Sequence, residues 1–336
     1  MPRDGELPHE DLPEGLIYCS DDGPGFARRK QGKGFAYYDQ MGRRIEAAAT
    51  LDRIEKLVIP PAWTDVWIAP RPGCHIQATG RDEKGRKQYR YHDDWSSHRG
   101  EAKYGRVAAF GRALPRLRKR VEADLRKKGL PKEKVVAAVV SLLEQTLIRV
   151  GNDEYARTNK SFGLTTLRDR HARLNSVGGV FEFKGKSGKT HCTKFEDRRL
   201  ARIVKACQDL RGQRLFQYKA DDGSICGVTS GDVNDYLREA TGEDFTAKTF
   251  RTWAGTVEAA RILSDQCDTT ATKATITACV KDVAKRLGNT PTVCRKSYIH
   301  PLITEAFTNR TLKLKAGKSQ RAFETAVIRM LEAAAT

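Results

Sequence analysis

No stretch of this sequence approaches the roughly 18 consecutive apolar residues of a membrane-spanning helix, so a helical membrane protein is excluded and no membrane partner is expected. The opening residues, MPRDGELPHEDLPEGL, lack the basic start and apolar run of a secretory leader, and a cytoplasmic protein is expected. The eight cysteines (Cys19, Cys74, Cys192, Cys207, Cys226, Cys267, Cys279, Cys294) include no C-x-x-C pair and no His at zinc-ligand spacing. Reduced, mainly structural thiols are the expectation for such a set inside a cell. Repeats of fixed period are missing too among the helical patterns of the C-terminal part. Apolar residues are scarce at 39%, yet 336 residues suffice for two domains with cores of their own.

Positive charge is what the chain has in excess. Its 61 Lys and Arg stand against 42 Asp and Glu, a formal net charge of +19, far more than solubility requires. A polyanionic partner is expected, nucleic acid first; a merely basic, well-solvated surface is the plainer alternative.

The pattern of residues predicts an α+β protein with a small, mainly β N-terminal domain followed by a larger, mainly α domain that carries an inserted β-hairpin. Residues 1–15, rich in Pro, Gly and acids, read as a flexible lead-in. From 16 to 95 short alternating runs are broken by turn residues: 34–39, 65–69, 75–80 and 88–92, with a Gly42 turn and one short helix at about 51–57. From 96 to 336 helical periodicity takes over. Helices are expected at 101–128 (amphipathic and very basic), 131–149 (apolar nearly all round, hence buried), 197–211, 230–241, 246–264, 269–287 and 319–334. The single β interruption, 180–195, reads as two alternating runs joined by a Gly-rich turn.

That turn, Gly185-Lys186-Ser187-Gly188-Lys189-Thr190, has the look of a phosphate-binding P-loop but not its spacing. The first glycine of such a loop would fall on Phe183 or, in the other register, on Val180. A strand rather than a helix is expected next, so no nucleotide cofactor is expected.

One further stretch invites chemistry: Leu287-Gly288-Asn289-Thr290-Pro291 continues to Arg295-Lys296-Ser297-Tyr298-Ile299-His300-Pro301. A helix ends at Gly288, a short segment begins after Thr290-Pro291, and Tyr298 follows beside basic residues. Such a tyrosine, taken alone, reads as a surface residue or packing anchor.

Across the chain, however, four segments in this order resemble the bacterial and poxvirus class of type IB DNA topoisomerases. Leu147-Ile148-Arg149-Val150-Gly151-Asn152-Asp153-Glu154-Tyr155, continued by Phe162-Gly163-Leu164-Thr165-Thr166-Leu167, is similar to a family stretch whose Arg contacts the scissile phosphate and whose Tyr touches DNA. The resemblance assigns these roles to Arg149 and Tyr155; the alternative for Arg149 is a cation capping the C-terminus of a buried helix. Phe183-Lys184-Gly185-Lys186 resembles the hairpin that carries the family's general-acid lysine, here Lys186. Lys248-Thr249-Phe250-Arg251-Thr252-Trp253 resembles the segment of the second phosphate-binding arginine, Arg251, with Lys248 one helical turn before it as a DNA contact. The fourth segment supplies the nucleophile, Tyr298, and departs from the pattern. Where relatives usually carry His this chain has Asn289, which donates a hydrogen bond but neither carries charge nor shuttles a proton. In the small domain Gly80 to His92 resembles a DNA-contacting strand, which makes Arg86, Tyr89 and Tyr91 contacts; a tyrosine face packed in the core is the alternative there.

The resemblance implies a clamp on double-stranded DNA and a monomer active without cofactor, metal or ATP, in the cytoplasm with the nucleoid. Supercoils would be relaxed through a transient 3′-phosphotyrosyl nick. A tyrosine recombinase is the nearest rival, although that family usually has a His before the Arg where this chain reads Lys-Thr-Phe-Arg. A non-catalytic basic DNA-binding protein is the second.

Overall fold

Alternating runs separated by tight turns build an antiparallel five-stranded sheet from β1 (Phe26–Gln31), β2 (Gly34–Tyr38), β3 (Thr64–Ile68), β4 (Ile76–Arg81) and β5 (Lys87–Tyr91), in the order β2-β1-β3-β4-β5. The computed structural model describes residues 12–266, 272–314 and 319–334. Most of the expected lead-in, residues 1–11, and also Cys267 and positions 269–271 of an expected helix, lie outside the described residues. The chain divides into two units, Met1–Lys103 and Tyr104–Thr336.

In the first unit α1 (Ala48–Lys56) packs Ile54 with Val66, Ile68 and Ala78 of the sheet. β1 was not among the expected strands, because Arg28-Arg29-Lys30 hides any apolar alternation. Those cations are absorbed locally: Arg28 donates to the carbonyls of Pro60 and Trp63, and its guanidinium lies 4.2 Å from the centre of the Phe35 ring. The expectation of reduced cysteines fails at one pair. Cys19 and Cys74 form a disulfide, because the Ile17 segment runs beside Cys74 and brings the two Cα atoms to 5.5 Å. Their separation of 55 residues gave no local pattern from which to read this.

A long helix, α2 (Asp93–Leu125), begins before the expected boundary at 95. In the second unit its stripe of Val107, Phe110, Leu114, Leu117, Val121 and Leu125 is buried at helical spacing. Its cations serve the fold as much as the surface. Arg118 pairs with Glu144 at 2.6 Å and Glu324 at 2.7 Å, and Arg120 with Asp124 at 2.7 Å.

Next comes α3 (Lys132–Thr146), buried nearly all round at the centre of this unit, followed by α4 (Asp153–Asn159). The inserted β element is larger than a hairpin: β6 (Ala172–Leu174), β7 (Gly179–Lys184) and β8 (Thr190–Phe195) form a three-stranded antiparallel sheet. After α5 (Arg198–Gln208) a second hairpin, β9 (Gln217–Lys219) with β10 (Ile225–Gly227), corrects the expectation of a single interruption. Strands of three residues are too short to show a period. The chain then runs through α6 (Ser230–Thr241), α7 (Ala247–Ser264), α8 (Lys273–Leu287), α9 (Pro291–Ser297), α10 (Pro301–Thr308) and α11 (Gln320–Ala333). α7 packs on α3, α6, α8, α10 and α11, so its side chains reach several segment ends at once.

Candidate active site

Four of the expected residues converge where α3 and α8 end. α3 stops at Thr146, and Leu147 turns the chain away in the left-handed region at φ 54°. The segment after it is clasped by the Phe162–Leu167 stretch: Leu164 N–H donates to Arg149 O at 2.8 Å and Thr165 N–H to Val150 O at 2.7 Å. Gly163 permits this, since a Cβ there would lie 2.4 Å from Arg149 O. Held in this way, Arg149 donates from its guanidinium to Asn289 Oδ1.

Arg149 does not cap the buried helix. Arg251 does so instead, donating to Leu147 O and, at 2.6 Å, to Leu287 O, the carbonyls that close α3 and α8. Its side chain is 3% exposed, and burial, followed by the neighbouring Arg149 charge, pulls its pKa down to about 10.

Asn289 follows Gly288, which ends α8 in the left-handed region at φ 62°. Its Oδ1 accepts from Arg149 and, at 3.4 Å, from Arg251. Guanidiniums only donate, so these two partners settle which end of the amide is oxygen. The amide nitrogen is left facing elsewhere: Asn289 Nδ2 and Arg251 Nε are both buried without a hydrogen-bond partner in the protein. Buried donors left unpaired are rare and call for a ligand or a function.

Tyr298 closes α9, whose start is set by the Thr290 cap and Pro291. Its backbone presses against α7 at Gly255, where a Cβ would fall 2.4 Å from Tyr298 O. The Arg251 Cζ lies 5.2 Å from the centre of the Tyr298 ring. Burial alone would raise the phenol pKa, but the charge and hydrogen bond of Arg251, then Arg149 and exposed Lys248, hold it below its ordinary value.

Lys186 stands exposed in the turn between β7 and β8, which is closed by Gly185 N–H to Lys189 O at 2.8 Å and Gly188 N–H to Gly185 O at 3.0 Å. The P-loop look of this segment resolves into strand, turn and strand. Tyr155, on α4, is 58% exposed. In the first unit Tyr89 and Tyr91 share one face of β5, stacked with centroids 5.9 Å apart, and are 41% and 44% exposed rather than packed in the core. Arg86 is paired with Asp82 at 2.6 Å.

One residue escaped sequence reasoning. His191 on β8 stacks on Phe183 and lies against both Gly185 and Gly288, beside the arginines. Only the strand register, Phe183 opposite His191, could have drawn attention to it.

A phenol of lowered pKa beside two guanidiniums and an amide, with donors unspent, suits attack on a phosphodiester whose nonbridging oxygens gain negative charge. The comparisons agree with a DNA strand-transfer enzyme. Residues 90–324 match the family described as "Eukaryotic DNA topoisomerase I, catalytic core", and residues 34–82 match "Bacterial DNA topoisomerase IB, N-terminal domain". The chain is 33% identical over 295 residues to the DNA topoisomerase 1B of Acanthamoeba polyphaga mimivirus, covering 85% of this chain and 88% of that one. It is 21% identical over 288 residues to the monkeypox virus DNA topoisomerase I and, likewise, to the DNA topoisomerase 1B of vaccinia virus strain Copenhagen, covering 82% of this chain and 88% of each. The chain therefore belongs to the type IB DNA topoisomerases, with the bacterial form of the N-terminal domain. Among the described residues no helix is long and apolar enough to cross a membrane.

Proposed function

We propose that this enzyme relaxes supercoiled duplex DNA as a monomer, without metal or ATP, by nicking one strand through Tyr298. The phenolic oxygen attacks the phosphorus, the P–O5′ bond breaks, and a 3′-phosphotyrosyl ester forms. The phenol, its pKa lowered, gives up its proton to solvent water, while Lys186 gives one to the departing 5′ oxygen. Arg149, Arg251 and Asn289 bind the nonbridging oxygens as charge grows on them. The ester keeps the energy of the broken diester, so once the downstream duplex has rotated the 5′ hydroxyl reverses the step without fuel.

The observation that carries this reading is the pair of buried, unpartnered donors, Arg251 Nε and Asn289 Nδ2, in one hydrogen-bonded group with Arg149 and within reach of the Tyr298 ring. A phosphate supplies what these donors lack. The site's polar groups are cations, an amide, an imidazole and a phenol, which supports chemistry that runs on cations in place of a metal. Lys248 and Tyr155 of the second unit and Arg86, Tyr89 and Tyr91 of the first contact the duplex, and the net charge of +19 supplies long-range attraction. The cytoplasm, with the nucleoid, is the setting that fits a DNA substrate.

The test is relaxation of supercoiled plasmid in EDTA without nucleotide. Activity is expected for the wild type and none for Tyr298→Phe, which should still bind DNA yet form no covalent adduct. Full relaxation by that variant removes Tyr298 as nucleophile, and dependence on a divalent ion removes the metal-free scheme.

A further inference from the structure

The His191 ring fills the space between two turns that matter to the reaction. On one side it meets the hairpin turn: a Cβ on Gly185 would lie 2.5 Å from His191 Cδ2. On the other it meets the end of α8, where a Cβ on Gly288 would lie 2.5 Å from Cε1. Its flat face is supported by Phe183, stacked at 5.2 Å between centroids with 12° between planes. Lys186 is the residue after Gly185, and Asn289 the residue after Gly288. A single imidazole is thus in contact with the neighbours of both.

We propose that His191 is a positioning residue of the cleavage reaction: its ring sets the turn carrying Lys186 at a fixed distance from the α8 end carrying Asn289. The proposal rests on the reading that Lys186 protonates the leaving oxygen. A general acid must reach its atom to within hydrogen-bond distance, and misplacement by about 1 Å costs on the order of 10²-fold. An exposed lysine on a hairpin has no such precision of its own; a ring wedged between two glycines confers it. Both glycines suit this arrangement, since a methyl on either would push the ring out of its slot. The ring also suits its electrostatic surroundings. Burial, then Arg149, Arg251 and Lys189, lower its pKa, so at neutral pH it adds no further cation to a crowded group.

A purely structural role is the competing account, and the sheet argues against it. The core under β7 and β8 is made by buried Phe181, Phe183 and Phe195, whereas His191 is only half-buried. Its removal is expected to loosen a turn without emptying a core.

The experiment is single-turnover cleavage of a duplex oligonucleotide carrying a cleavage site first mapped with the wild-type enzyme, made with either the ordinary 5′ oxygen or a bridging 5′ sulfur at the scissile bond. A thiolate leaves without being protonated, so sulfur bypasses the general acid. His191→Ala is expected to cleave the oxygen substrate about 10- to 100-fold more slowly than wild type and the sulfur substrate within a few-fold of it, with DNA affinity unchanged. His191→Phe, which keeps a flat ring in the slot, is expected to stay near wild type on both. Wild-type cleavage of the oxygen substrate by His191→Ala overturns the proposal. So does an equal loss on both substrates, which would put the ring to work on the phosphate group itself. Lys186→Ala is the control: if sulfur fails to rescue it, the general-acid reading falls and the positioning role falls with it, whereas rescue of Lys186→Ala without rescue of His191→Ala overturns the positioning role alone. Should His191→Ala not fold, Gly185→Ala displaces the ring with one methyl and is expected to show the same sulfur-rescued loss; a wild-type rate on oxygen there also overturns the proposal.

Discussion

The arginine group of the second unit and the tyrosine strand of the first are both polar surfaces suited to DNA, yet they are built on opposite principles. The arginine group is part-buried around the buried Arg251, over-supplied with cations, and holds two buried donor atoms without acceptors. The strand β5 is exposed, its Tyr89 and Tyr91 stacked on each other and its Arg86 already satisfied by Asp82. Burial makes each donor count, because unpaired charge in a dry site is costly until an anion arrives. Exposure makes each contact replaceable by water. Large, rate-specific effects are therefore expected from the first region and small, affinity-specific ones from the second.

Loss of Tyr298 is the largest, removing the covalent adduct while binding through the rest of the surface survives. Next come the arginines. Arg149→Ala and Arg251→Ala should each slow cleavage by about 10²–10³-fold, the usual cost of a lost transition-state donor. They should differ in stability. Arg251→Ala strips the carbonyls of Leu147 and Leu287 of a partner and is expected to lower the melting temperature, whereas Arg149→Ala leaves those bonds intact. Equal melting temperatures in the two variants would contradict the division of labour drawn here.

A smaller effect concerns pH. In the proposed reaction the attacking form of Tyr298 is the phenolate, and a pKa below the ordinary value enlarges the phenolate fraction at any pH beneath it. Removing the Arg149 charge lets that pKa rise, so the ascending limb of the cleavage rate should move to higher pH in Arg149→Ala than in wild type. A limb that stays in place, measured by single-turnover cleavage across pH, would mean that Arg149 acts on the phosphate alone. The smallest effect belongs to the strand: Tyr89→Ala with Tyr91→Ala should weaken duplex binding a few-fold, on the order of 1 kcal/mol, with the cleavage rate of bound DNA unchanged. A fall in that rate would erase the contrast between the regions.

Much of this is legible in the sequence alone. The long helices could be read from their apolar stripes, and the bounds expected for α6 and, within a residue, α7 and α11 are those observed. Short elements were not: α4 and α10, of seven and eight residues, and the three-residue strands offer too few positions for a period to appear. Within the site, Arg149, Arg251 and Tyr298 could be picked out because each sits in a stretch of its own with a family resemblance. Which arginine ties the helix ends could not, since that depends on where the end of α8 arrives, and α8 lies more than twenty residues beyond Arg251 in the chain. His191 was hidden for the same reason. Its importance lies in touching Gly185, which is near in sequence, and Gly288, which is not.

The position of Arg251 has a consequence for how the enzyme holds itself together. The same guanidinium that fastens the ends of α3 and α8 also lies against the Tyr298 ring, so under the proposed reaction folding and substrate occupancy are thermodynamically linked through one side chain. An oxyanion that binds there satisfies Nε and, by mass action, makes the helix junction harder to open. DNA then acts as the last piece of this unit's polar interior: the protein is expected to be most tightly knit while it is holding a broken strand, which is when loosening would be most harmful.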